Sequence, residues 1–125
     1  MRCWFAPQDI QAGRKIHEQI DGAIPVYDKL LLILSDASMS SNRVKTEMAD
    51  ARAREEQQKR NMLFPIRLVA FDRMREWRLF DAGTGIDSAG EIREYFIPDF
   101  FNWKDGDSYQ KALDQLLRDL NRHAG

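Results

Sequence analysis

Glu47 stands six residues after Ser41 in the segment SDASMSSNRVKTE, which follows five consecutive aliphatic residues, Leu30 to Leu34. A wholly apolar run of that length, closed by Ser35, predicts a strand buried on both faces of a parallel sheet. Ligands of such sheets bind just beyond the carboxyl ends of the strands. Glu47 lies between Val44 and Met48, early on the helix that leaves this strand. A carboxylate half-shielded by apolar neighbours can have its pKa raised and can engage a ribose. Against that chemistry stands the ordinary fate of a helical glutamate, a solvated surface position.

The other candidates favour structural readings. Gly83-Thr84-Gly85 has a serine, Ser88, where a dinucleotide fingerprint needs its third glycine, and it predicts a turn. Trp77 and Trp103 could stack a base, but in a domain of this size they are expected to anchor the core. Cys3 has no histidine near it in sequence and is expected to be a buried structural thiol. His17 is expected to face solvent, and His123 to lie in a frayed terminus.

These residues must be positioned by a chain of 125 residues, enough for one domain with one core, spanning 1–125. Nineteen basic and twenty acidic residues give a net charge of −1, which offers no bulk attraction to nucleic acid or an anionic membrane. One cysteine excludes an internal disulfide and fits a reducing compartment. Two histidines far apart make a zinc site improbable. The start, MRCWFAPQD, has no signal-peptide apolar stretch, and Leu30–Leu34 is too short to cross a bilayer. The expected location is the cytoplasm.

The elements follow from periodicity. Cys3 to Ala6 is an apolar run stopped by Pro7, a strand end, and Pro7 to Gly13 mixes turn formers into a loop. Ile16, Ile20, Ala23 and Ile24 mark an amphipathic helix ending near Pro25. After the Leu30–Leu34 strand, Asp36, Ser38, Ser40 and Ser41 are possible caps for a helix with Val44, Met48 and Ala51 on one stripe. Arg52 to Arg60 reads as its solvated end. Met62 to Val69 is a third strand which Pro65 sends to an edge or a bulge. Phe71 to Asp87 is irregular, with Trp77, Leu79 and Phe80 as anchors. Ser88 and Glu91 form a capping box, Ile97 to Trp103 reads as a last strand, and Tyr109 to Leu120 as a terminal amphipathic helix. The alternation predicts an α/β fold, an open parallel sheet with helices on both faces.

The stretches WFAPQDIQAGRKIHEQIDGAI, DKLLLILS and SNRVKTE, followed by FPIRLV and EIREYFIPDF, resemble a Toll/interleukin-1 receptor (TIR) domain of the bacterial type. The resemblance covers nearly the whole chain, from the second strand of that fold to its terminal helix, and implies a flavodoxin-like sheet. Many TIR domains cleave the nicotinamide–ribose bond of NAD+, and others act only as homotypic adaptors in signalling or defence. Their catalytic glutamate sits in the pattern S-x-W-x-x-x-E. Carried onto this chain, Ser41 takes the serine position and Glu47 the catalytic one. The loop named BB in the family is Pro7 to Gly13, with Gly13 at its glycine. The resemblance thus implies a substrate site of Trp4, Pro7, Asp9, Gly13, Ser41 and Arg43 around Glu47. NAD+ is substrate rather than cofactor, no metal is implied, and the partners implied are other TIR domains, whose BB loops often complete a neighbour's site.

The chain departs from the pattern at two points. Arg43 replaces the tryptophan, bringing a guanidinium near Glu47 that would favour the ionised carboxylate. Met1 falls where the second strand begins, so the central first strand and its helix are missing from the text, as in a fragment or a sheet completed by another chain. The strands that normally flank it are expected to carry unpaired backbone groups. Three functions follow as alternatives: an NAD+ glycohydrolase active when assembled, a non-catalytic TIR interaction module, and an unrelated flavodoxin-like nucleotide-binding or receiver domain. The last lacks an acidic phospho-acceptor cluster and a phosphate loop.

Overall fold

Five aliphatic side chains in succession have no polar face to turn to water, and the segment Leu30–Leu34 (β2) is buried at every position. It forms the middle of a three-stranded sheet in the order β1-β2-β3, between Arg2–Trp4 (β1) and Leu63–Arg67 (β3). Both pairings are parallel, with Arg2 opposite Leu30, Trp4 opposite Leu32, and Leu32 opposite Pro65. The computed structural model describes residues 1–78, 80–81 and 85–122. Leu79, Gly83, Thr84 and His123 lie outside the described residues, as does the side chain of Phe80.

Helices cover both faces, the flavodoxin-like α/β arrangement expected. Ile10–Ala23 (α1) and Gly106–Arg122 (α6) pack with Leu31, Ile33, Phe64 and Ile66 on one face. Asp36–Met39 (α2) and Asn42–Gln58 (α3), then Phe71–Glu76 (α4) and Ser88–Ile92 (α5), pack with Leu30, Leu32, Leu34 and Leu63 on the other. Trp77 is buried there with its indole N–H donated to the Met39 carbonyl at 3.1 Å, and Trp103 packs against the opposite core. A two-residue antiparallel ribbon joins Phe80–Asp81 (β4) to Ile86–Asp87 (β5), and Gly85 beside it has φ +72°.

Several expectations need correction. The strands expected to lose a shared partner pair directly with each other, and the Arg2 N–H is taken up by the Lys29 carbonyl at 3.0 Å. Backbone donors and acceptors of two apolar strands satisfy one another when they meet. Pro7 to Gly13 is not a loop: Pro7–Asp9 is a 3-10 turn that runs into α1 at Ile10. Proline and aspartate read as turn formers, but they also suit the first turn of a helix. Gly13 is therefore helical and buried, and a Cβ there would stand 2.5 Å from Cδ1 of the Phe5 ring. Its role is close packing.

Ile97 to Trp103 contributes one parallel bridge, Arg67 to Asp99, rather than a strand. Pro98 has no N–H, and the Asp99 carboxylate accepts the Phe101 N–H at 2.9 Å and turns the chain away. The cap of α5 is Asp87, which accepts from the Ala89 N–H at 3.2 Å, not Ser88. The edge expectation for β3 holds. Pro65 offers no donor there, the Leu63 N–H goes to Glu55 at 3.1 Å, and the Arg67 N–H goes to the Pro98 carbonyl at 3.1 Å. That edge has little left to offer a foreign strand.

Candidate active site

Helix α3 starts at a cap: the Ser41 hydroxyl oxygen accepts the Arg43 N–H at 3.2 Å. Its inward stripe, Val44, Met48 and Ala51, lies against the leucines of β2. Glu47 falls one residue to the side of Met48, on the flank of that stripe, and its side chain is 23% exposed. In β1, alternation sends Arg2 and Trp4 to the α3 face, and Trp4 packs against the same core cluster. Arg2 Nη2 donates to Glu47 Oε2 at 3.0 Å.

The guanidinium beside Glu47 is thus Arg2, and not Arg43 as the sequence suggested. Arg43 is exposed, and its backbone N–H serves the Ser41 cap. Arg2 reaches across 45 residues of sequence with a side chain that is 58% exposed. Ion pairs open to water on one side contribute at most about 1 kcal/mol. Glu47 is held by a contact that opens easily.

A second polar group stands at the carboxyl end of β2. The Ser35 hydroxyl oxygen accepts the Ser38 N–H at 3.1 Å, and the Ser38 hydroxyl oxygen accepts the Ser35 N–H at 2.7 Å. The Ser35 hydroxyl donates to the Asp9 carboxylate, which ties the 3-10 turn over the strand end. Ser35 and Ser38 are buried, so this reciprocal cap is part of the core. Sequence reading missed Ser35, although the S-x-x-S spacing directly after a buried strand was the available signal.

Among the residues implied for the site, Trp4 lies on the face that carries Glu47, and Asp9 sits at the strand end with Ser35. Ser41 caps the helix, Arg43 and Pro7 are exposed, and Gly13 packs beneath Phe5 on the opposite face. The Cys3 thiol is pushed up to about 12 by burial and then by the nearby Asp21 charge, which keeps it protonated and unreactive. His17 does not simply face solvent: Nε2 is 3.0 Å from the Met1 carbonyl and 3.3 Å from Asp21.

The far end of α3 is also more than a solvated tail. Glu55 Oε2 accepts the Met62 and Leu63 N–H groups at 2.9 and 3.1 Å, and Oε1 accepts the Tyr95 hydroxyl. Burial, followed by the hydrogen bond to Glu55, raises the Tyr95 hydroxyl above its usual range. Arg52 pairs with Glu91 at 3.0 Å. Together these contacts clamp α3 to β3 and to the segment after α5. No pattern in sequence pointed to Glu55, since its partners are backbone groups and a tyrosine forty residues away.

Among the described residues, no helix is long and apolar enough to cross a membrane. No curated protein and no solved structure matches the chain. A family model, the TIR domain, matches residues 1–117, with the parallel sheet, the α3 flank and Glu47 inside that span, and the chain belongs to the TIR domain family.

Proposed function

We propose that this TIR domain works in signalling or anti-phage defence, in the cytoplasm, by hydrolysing the nicotinamide–ribose bond of NAD+. The observation that carries the reading is Glu47. The resemblance assigns it the position of the family's catalytic glutamate, and it lies on the flank of α3, half-shielded and paired with the exposed Arg2 at 3.0 Å. Nicotinamide leaves NAD+ as a neutral base, so its departure needs no general acid. Positive charge develops on the ribose as the bond lengthens, as in glycoside hydrolysis. A carboxylate against the ribose hydroxyls stabilises that charge. Water then adds to the anomeric carbon and loses one proton, giving ADP-ribose, free nicotinamide and H+.

For Glu47 to meet a ribose, Arg2 must swing aside, and its exposure makes that movement inexpensive. The test is chromatographic release of nicotinamide from NAD+ by the purified chain. Glu47→Ala is expected to reduce release at least about 100-fold, the scale seen for loss of one electrostatic stabiliser. Equal turnover by the variant would sink the assignment.

Ile10 favours a second reading, a non-catalytic module that assembles with other TIR domains. It is 46% exposed at the start of α1, beside the turn that the resemblance identifies with the BB loop. In that reading Ile10→Asp abolishes self-association in sedimentation experiments, whereas Glu47→Ala leaves it intact. Normal association of the Ile10 variant removes the support.

A further inference from the structure

Helix α3 carries Glu47 near its start and Glu55 about two turns further on, and the two carboxylates differ in their surroundings. Glu47 meets one exposed arginine. Glu55 accepts from three donors: Oε2 takes the Met62 and Leu63 N–H groups at 2.9 and 3.1 Å, and Oε1 takes the Tyr95 hydroxyl. Those donors stand at the entry to β3 and in the segment after α5, so one side chain fixes α3 to two parts of the fold. Arg52, one turn earlier, adds a second tie. Its Nε lies 3.0 Å from Glu91 of α5, and its guanidinium stands 5.9 Å from the centre of the Tyr95 ring.

The other contacts of α3 set its distance from the sheet better than its tilt. Val44, Met48 and Ala51 form a narrow apolar seam, and apolar attraction has no direction. The Ser41 cap fixes the first turn only. A helix held in this way pivots about its capped end unless its far end is fastened. Glu47 lies roughly 9 Å beyond the cap, at 1.5 Å of rise per residue, so a tilt of about 5° displaces it by roughly 0.8 Å. Misplacing a reacting group by about 1 Å costs on the order of 100-fold in rate.

We propose that Glu55 is a positioning residue for Glu47: by fastening the far end of α3 to β3 and to Tyr95, it sets where the Glu47 carboxylate stands. The proposal rests on the reading of Glu47 as the catalytic group. Positive charge on the ribose develops only as the bond lengthens, so a displaced carboxylate lowers kcat and leaves KM for NAD+ nearly unchanged.

Glu55→Ala removes all three bonds, and kcat for nicotinamide release is expected to fall at least about tenfold, with KM within about twofold. Glu55→Gln is expected to keep kcat within about threefold, because its amide oxygen can accept both N–H groups and its NH2 can donate to the Tyr95 oxygen. Tyr95→Phe, which spares the two N–H bonds and perturbs the fold least, falls between these two. Leu116→Ala loses stability on the opposite face of the sheet, and it should keep kcat within about twofold when assayed well below its melting temperature. That control separates position from stability.

A second readout uses no NAD+. In 15N-labelled protein the backbone amide signals from Val44 to Met48 are expected to move in Glu55→Ala and to hold in Glu55→Gln and Leu116→Ala. Unchanged kcat in Glu55→Ala, an equal fall in Leu116→Ala or in Glu55→Gln, or amide changes confined to the surroundings of residues 55, 62, 63 and 95 would overturn the proposal. A wild-type chain that releases no nicotinamide, or an active Glu47→Ala variant, overturns the reading of Glu47 instead. The amide signals then still decide whether Glu55 sets the lie of α3.

Discussion

The two faces of this sheet are held by different forces. Helices α6 and α3 are each 17 residues long, yet α6 buries Tyr109, Ala112, Leu113, Leu116 and Leu120, while α3 buries only Val44, Met48 and Ala51. The α1/α6 face is an apolar seam in which Ile16, Ile20, Leu31, Ile33 and Phe100 meet. The α3 face has a narrower seam fastened at its ends by polar contacts, the Ser41 cap at one end and the Glu55 clamp at the other. A helix fixed at its ends keeps its flanks open, and Glu47 lies on such a flank. Apolar burial stabilises the fold, and polar anchoring orients a helix while leaving one carboxylate reachable.

The largest test of this contrast is at the α6 seam. Leu116 is fully buried, and Leu116→Ala is expected to cost about 2–5 kcal/mol in urea unfolding. A loss below about 1 kcal/mol would mean that the seam repacks and that the two faces do not differ as described. Next comes the clamp. Glu55→Ala leaves the Met62 and Leu63 N–H groups and the Tyr95 hydroxyl without their acceptor, a loss of about 1–3 kcal/mol. The neighbouring Glu56, which is exposed, should cost less than about 0.5 kcal/mol when changed to alanine. If the two variants melt alike, α3 is not held by its far end.

The cap is worth less. Ser41→Ala is expected to lower stability by about 1 kcal/mol, and Ser41→Asp to restore most of it, because either side chain can accept the Arg43 N–H. Equal loss in both variants would assign Ser41 a role other than capping. The smallest effect concerns Cys3, half-buried on the apolar face with its thiol pushed up to about 12. The unfolded thiol ionises first, so below about pH 9 the group is neutral in both states and contributes no pH dependence. Stability then falls as pH rises from about 9 towards 12, where the unfolded chain binds fewer protons. Alkylation of the folded chain at about pH 9 should accordingly be much slower than that of the unfolded chain. Equal alkylation rates would place the thiol in water.

Legibility followed the locality of the cause. Strand β2 was readable because five aliphatic residues leave one environment open to them, and α6 because its stripe repeats at helical spacing. The edge position of β3 was readable from Pro65, a residue without a donor. The start of α1 misled because Pro7, Asp9 and Gly13 serve a turn and a helix start equally well. Only the packing of Ala12 and Gly13 into the core chose the helix. The last strand misled because Ile97, Phe100, Phe101 and Trp103 read as a short apolar and aromatic run, whereas Pro98 and Asp99 turned the chain after a single bridge.

Within the candidate site the same division holds. The type of Glu47 and its place early on a helix after a buried strand depend on near neighbours, and sequence alone determined them, whereas the cap stayed open among Asp36, Ser38, Ser40 and Ser41 until the structure chose Ser41. The parallel sheet with helices on both faces was likewise set by apolar periodicity, since burial by the hydrophobic effect needs no exact partner. Tertiary structure decided which guanidinium holds Glu47, that Asp9 locks onto Ser35, and that Glu55 clamps α3 to β3. Hydrogen bonds and ion pairs are directional and short-ranged, so their partners are chosen by sub-ångström placement of segments far apart in the chain.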